Sequence, residues 1–198
     1  MNYKMNKDHG FTSFYGAMAL AVLMLFGAGC ASTTPTAKFK QPLSSTARLA
    51  AGDTVKATVN ARAGIDILEI ERMRIAQRIE QCVKAKQAAN PAHAEQRAYS
   101  VELTLTKYDK GNAFARAMLA GLGQIHIEAT VEVYQLPERL RVTEFDLKKT
   151  FAWGGLYGGT TSIEDIERTF AEGIAATLTG QAEESPKTAQ ADGTKPSL

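Results

Sequence analysis

The sequence predicts an α+β fold: a small, mostly antiparallel sheet of about four strands with two amphipathic helices on one face, in the order β-α-β-(short α)-β-β-α. Three observations predict it. Residues 98–108 and 124–136 alternate apolar and polar side chains over long runs, the period of a sheet with one face packed and one wet. Two other segments, 66–88 and 163–178, repeat apolar residues at helical spacing. Finally, Pro137-Glu138-Arg139 separates two strand-like runs by a tight connection, the mark of a hairpin.

The chain opens on a segment that precedes this fold. Lys4 and Lys7 make a basic start, residues 17–26 (AMALAVLMLF) are unbroken apolar, and Gly27-Ala28-Gly29 lead into Cys30. That order is the pattern of a secretory leader, and its apolar run of about ten residues falls short of the roughly 20 a spanning helix needs. The residues before Cys30 resemble a lipobox, with Gly27 standing where leucine is usual. The resemblance implies that 1–29 is a signal peptide removed on export. It further implies that Cys30 carries palmitate-like acyl chains anchoring the protein to a membrane. Ala31, where inner-membrane lipoproteins usually carry aspartate, implies an outer-membrane protein facing the periplasm. Residues 30–51 (CASTTPTAKFKQPLSSTARLAA) are rich in Ser, Thr, Ala and Pro and read as a lipidated N-terminus with a flexible tether.

A single domain is expected over 52–180. Gly52-Asp53 turns into a short strand in which Val55, Ala57 and Val59 share a face. The helix at 66–88 carries Leu68, Ile75, Ala76, Ile79, Cys82 and Val83 on one stripe, with Asp66 placed to cap it. Cys82 sits in that stripe and is expected to be buried; with Cys30 acylated it has no internal disulfide partner. In the strand at 98–108, Tyr99, Val101, Leu103 and Leu105 point inward. A short apolar helix at 113–120 ends in Gly121 and Gly123. The strand at 124–136 turns Ile125, Ile127, Ala129, Val131 and Val133 inward. The next, at 140–152, shifts parity between Val142 and Phe145, which predicts a β-bulge near Thr143-Glu144.

Residues 153–159 (WGGLYGG) set two aromatics among four glycines and read as a mobile loop. Ser162 and Asp165 form a capping box for a helix whose stripe is Ile163, Ile166, Phe170, Ile174 and Leu178, ended by Gly180. The tail, 181–198, has too little apolar surface to order itself.

The run Lys110-Gly111-Asn112-Ala113-Phe114-Ala115-Arg116, the Gly121 and Gly123 pair, the alternating strand behind them and the glycine-rich break before the last helix resemble the bacterial lipoprotein family catalogued as domain of unknown function 4410. The resemblance spans about 54–180. It implies this fold and carries no catalytic residues.

Composition excludes several classes. With 23 basic and 21 acidic side chains, a formal charge of +2, the chain has no electrostatic footprint for nucleic acid. The Gly121-Leu122-Gly123 turn follows a helix and precedes a strand, the reverse of a phosphate-cradling loop, so no nucleotide cofactor is expected. His126, Glu128 and Glu132 alternate on one wet face with His93 in a nearby loop, the ordinary polarity of a sheet rather than a convergent metal site. Asn112 and Arg116 are candidates either to bind an anion or to cap the short helix, Arg116 pairing with a local carboxylate. Trp153, Leu156 and Tyr157 are the candidate partner contact, the alternative being that Trp153 and Tyr157 fold back to cover the core edge, with Phe114, Met118 and Leu119 either extending the patch or closing the core. The function expected is that of a non-catalytic envelope lipoprotein, an assembly accessory factor that binds a protein partner or itself; the alternative is a periplasmic binding module for a small ligand, glycan or lipid.

Overall fold

The computed structural model describes residues 33–119 and 122–182. The leader, Cys30 and the tail from 183 onward lie outside the described residues, as do Ala120 and Gly121.

The chain forms one α+β unit. A five-stranded sheet in the order β1-β5-β4-β3-β2 is built from β1 (Thr36–Gln41), β2 (Thr54–Ala61), β3 (Ala98–Asp109), β4 (Ile125–Leu136) and β5 (Leu140–Phe151). Among the described residues four α-helices accompany it: α1 (Glu69–Gln87), α2 (Ala113–Met118), α3 (Gly155–Thr160) and α4 (Ile163–Thr179). Three pairings are antiparallel; β2 and β3 run parallel because α1 carries the chain back between them.

Alternation decides which face is covered. Tyr99, Val101, Leu103 and Leu105 of β3 and Ile125, Ile127, Val131 and Val133 of β4 are buried beneath Ile75, Ile79 and Val83 of α1 and Phe170, Ile174 and Leu178 of α4. The expected bulge is present: Val133 faces Thr143 and Tyr134 faces Arg141, which leaves Val142 as the extra residue of β5. A second register shift, between Leu105 and Lys107 of β3, returns Tyr108 to the covered face. At the end of α4, Gly180 closes the helix in the left-handed region at φ 72°.

Three expectations are corrected. The segment read as a tether supplies β1, the fifth strand. Thr36 to Gln41 pair along the free edge of β5, the Phe39 ring tilts against Phe145 at 5.5 Å, and Lys40 bridges Asp146 at 2.8 Å and Glu144 at 3.3 Å. Leu49, in the same segment, is fully buried and donates its amide to the Leu178 carbonyl. What orders these residues is an available strand edge, which local composition does not reveal. In α1, the start falls at Glu69 rather than Asp66, and the Leu68 amide is taken by the Glu71 carboxylate at 2.9 Å, half of a capping box. Cys82 is half-buried rather than enclosed, and burial pushes its thiol pKa up.

The strand ends give the sheet two distinct poles. Asp109 of β3 pairs with His126, Ile125 with Phe151 and Thr36 with Lys148. The end of β3, the start of β4, the end of β5 and the start of β1 therefore share one end of the sheet. Thr33 lies there too: its amide donates to the Thr150 carbonyl at 3.0 Å, its hydroxyl accepts from the Thr150 amide at 2.9 Å, and its carbonyl accepts from Lys149 Nζ.

Candidate functional site

At that same end, α2 and α3 pack into a platform. The Asn112 side chain caps α2, its Oδ1 accepting from the Ala115 amide at 2.8 Å. Arg116 corrects the expectation made for it. Its guanidinium pairs with no carboxylate; it is buried and donates to backbone carbonyls: Gly158 and Thr161 at 2.9 Å, Gly123 at 2.8 Å and, more weakly, Lys110 at 3.5 Å. Burial among these neutral acceptors lowers its pKa. Arg116 thus ties three backbone segments together, and its own donors are engaged.

Most of the WGGLYGG stretch, from Gly155, belongs to the helix α3 rather than to the mobile loop expected. Its glycines permit close packing: a Cβ on Gly158 would stand 2.0 Å from the Trp153 carbonyl oxygen, and one on Gly159 2.9 Å from Ala117 Cβ. The Thr161 hydroxyl and amide both donate to the Tyr157 carbonyl and finish the turn.

This frame presents its large apolar side chains outward. Leu156 is 86% exposed, Phe114 75%, and Met118 and Tyr157 both more than half. Trp153, 39% exposed, meets the Tyr157 ring edge-on at 5.8 Å, and Phe151 meets it from below at 5.9 Å. Leu119 and Leu122 extend the surface between the helices. Trp153 and Tyr157 meet each other, and the two packed helices expose Leu156, Phe114 and Met118 as well, so α2 faces solvent instead of closing the core.

The remaining candidates are dispersed. His126 Nδ1 lies 3.1 Å from the Thr150 hydroxyl, its pKa lowered by burial and then by Lys107. Its neighbours on the wet face are already in ion pairs, Glu128 with Lys148 at 2.9 Å and Glu132 with Arg141 at 3.2 Å. His93 is at the other end of the sheet, 3.0 Å from the Arg48 carbonyl, so it cannot join them. Among the described residues no group of three potential metal ligands converges.

Two features were missed from sequence. One is a buried charge cluster: Glu167 of α4, with no exposed side-chain surface, receives Arg74 at 2.7 Å on both oxygens, Arg78 at 3.2 Å and the Tyr108 hydroxyl at 2.6 Å. Burial first, then Glu167, pushes the Tyr108 pKa far up. The signal was available, since Glu167 falls between Ile163 and Phe170 inside an apolar stripe. The other is a cleft of about 620 Å³ beside the start of β2 and the end of α1, lined by Asp53, Val55, Glu80, Lys84 and Gln87; the buried Gln87 Oε1 there has no hydrogen-bond partner.

Comparison with known proteins gives one family. The model of the domain of unknown function DUF4410 matches residues 43–155. No curated protein matches the chain. Solved structures that resemble it include two crystal forms of the PelC dodecamer from Paraburkholderia phytofirmans, at 11% identity and TM-scores of 0.48 and 0.49, covering 76% of this chain and 99% of the other. A DUF330 protein from Xanthomonas campestris is similar at 12% identity and a TM-score of 0.41, covering 71% of this chain and 92% of the other.

Proposed function

The chain belongs to the DUF4410 family, whose description assigns no activity, and we propose from its own side chains that it is a non-catalytic docking protein of the bacterial envelope. In this reading acylated Cys30 holds it to the outer membrane, facing the periplasm, and it serves an assembly there as an accessory factor. The observation that carries the reading is the platform: large apolar side chains held outward on a frame that Arg116 and two glycines make rigid. Surfaces of that kind mark interaction sites. The buried ionisable groups support docking over chemistry, because Arg116, Glu167 and Tyr108 each spend their hydrogen bonds inside the fold. The face of the sheet opposite the helices, centred on Thr104 and Thr130, remains open for an envelope protein or a second copy.

Photo-crosslinking residues at positions 104 and 156 of the full chain, activated in intact cells, test both surfaces. A discrete adduct with another envelope protein, or a dimer-sized adduct, is expected; only diffuse background would remove the docking reading. The cleft beside Gln87 favours a second reading, a small-ligand module, because it holds a buried acceptor without a donor. Saturable thermal stabilisation by a small molecule, lost in Gln87→Leu, would establish that reading instead.

A further inference from the structure

We infer that the apolar platform is a second membrane contact, and that its occupant is the lipid surface to which Cys30 attaches. The inference rests on the lipid-anchor reading above and names the partner of the platform.

Reach decides the occupant. Only residues 31 and 32 separate Cys30 from Thr33, and Thr33 is fastened to Thr150 by paired hydrogen bonds and to Lys149 Nζ. Three residues span at most about 11 Å. A chain acylated at Cys30 therefore brings Thr150 to within that distance of the bilayer. Trp153 follows Thr150 by three residues, and α2 and α3 lie at that end of the sheet. The opposite end is out of range: β3 alone runs 12 residues, about 40 Å at the strand rise. The expected tether would have let the domain stand clear of the surface and face it in any direction; the pairing of β1 with β5 removes that freedom.

The chemistry of the platform suits lipid. Trp153 and Tyr157 are the residue types that settle at the headgroup level, and Leu156, Phe114 and Met118 are the most exposed large apolar side chains of the two helices, suited to entering the acyl boundary. Arg116, inside the frame, is turned inward onto carbonyls and leaves the apolar surface uninterrupted.

Trp153 is the only tryptophan in the chain and reports its own surroundings. The full acylated protein is reconstituted into vesicles of phosphatidylethanolamine and phosphatidylglycerol, with and without bromines on the acyl chains. A blue shift of the emission and quenching by the bromines are expected, both lost in Leu156→Asp and Phe114→Ser while the acyl mass and the thermal unfolding midpoint stay unchanged. Emission that remains water-like in vesicles overturns the inference. So does a blue shift that appears without lipid as protein concentration rises and ignores the bromines, since that places the platform against a second copy. The two readings fail separately: a purified chain with no acyl mass removes the anchor while bromine quenching still speaks for the platform, and an acylated chain with water-like Trp153 removes only the contact.

Discussion

Arg74 on α1 and Glu167 on α4 meet in a two-point ion pair, 2.7 Å at Nε and 2.7 Å at the terminal nitrogen, with the carboxylate wholly out of solvent. Tyr108 of β3 donates to the same carboxylate, so one buried charge fastens both long helices to the sheet. Fork-to-carboxylate geometry of this kind makes each bond stronger than a neutral one, and the bond to Glu167 raises the pKa of the Arg74 guanidinium.

Removing one partner strands the other. Arg74→Ala leaves Glu167 buried with a weaker claim on Arg78, and is expected to cost about 3–5 kcal/mol in urea unfolding. The double replacement Arg74→Met with Glu167→Leu should recover much of that loss. A cost under about 1 kcal/mol for the single change would class the pair with exposed ones.

Arg116→Met keeps the volume of the stem and removes every donor. The carbonyls of Gly158 and Thr161 would then lose their Arg116 donors, at about 1–3 kcal/mol each, while that of Gly123 keeps the Asn112 amide. The expected signature is regional. Amide exchange should accelerate across 113–119 and 155–161, while the amides of β3 keep their protection.

Gly158→Ala tests the frame by volume. The added carbon would sit 2.0 Å from a backbone oxygen, so α3 cannot keep its place, and Trp153 emission should shift in the purified protein. Gly155, whose Cβ would meet nothing within 4 Å but whose φ is 69°, should accept asparagine with little change in the same spectrum.

Acid weakens the start of α4. The amide and hydroxyl of Ser162 hold the Asp165 carboxyl below its ordinary range. A carboxyl with a lower pKa folded than unfolded contributes stability that is complete above its unfolded value, about 3.9, and is lost as pH falls through the folded value. The gap in urea midpoint between wild type and Asp165→Asn should therefore narrow as the solution is taken from about pH 6 toward pH 3. A gap that stays constant would mean the cap bond does not depend on the charge.

The Cys82 thiol gives a further check. Burial raises its pKa, so less of it is thiolate at neutral pH, and the thiolate is the nucleophile. Labelling should be slow in the native protein and speed up in urea. Equal rates in both would contradict the half-buried placement among the α1 side chains.

Most of the sheet was legible because its side chains report their own environment. Ten consecutive residues of β4 alternate with buried and half-buried positions as their polarity demands, and the parity shift near Val142 announced the bulge. β1 was not legible for the opposite reason: Thr36, Ala37, Lys38 and Lys40 owe their extended form to hydrogen bonds from β5 and to Asp146 and Glu144, none of which is nearby in sequence. The platform was legible in part. Asn112 as a cap could be read from local pattern, whereas whether Trp153 and Tyr157 face outward or fold back could not, and the helix at Gly155–Thr160 depends on Arg116 reaching across 42 residues to the Gly158 carbonyl. Glycine-rich composition favours loops until a partner makes the missing side chains an advantage.

The chain passes through this domain from one pole to the other. Thr33 lies beside the last residues of β5, while α4 ends near Asn90, whose side-chain amide donates to the Thr179 carbonyl at 2.9 Å, at the pole where β2 and β3 begin. The sheet is therefore a ruler of about 40 Å between Thr33 and the end of α4. Fluorophores at Thr33 and Ala182 start about a strand length apart in the folded domain. Energy transfer between them would fall when the domain opens, because an unfolded stretch of this length has a radius of gyration of about 40 Å and ends farther apart still, which makes the distance between the poles a direct readout of folding in place.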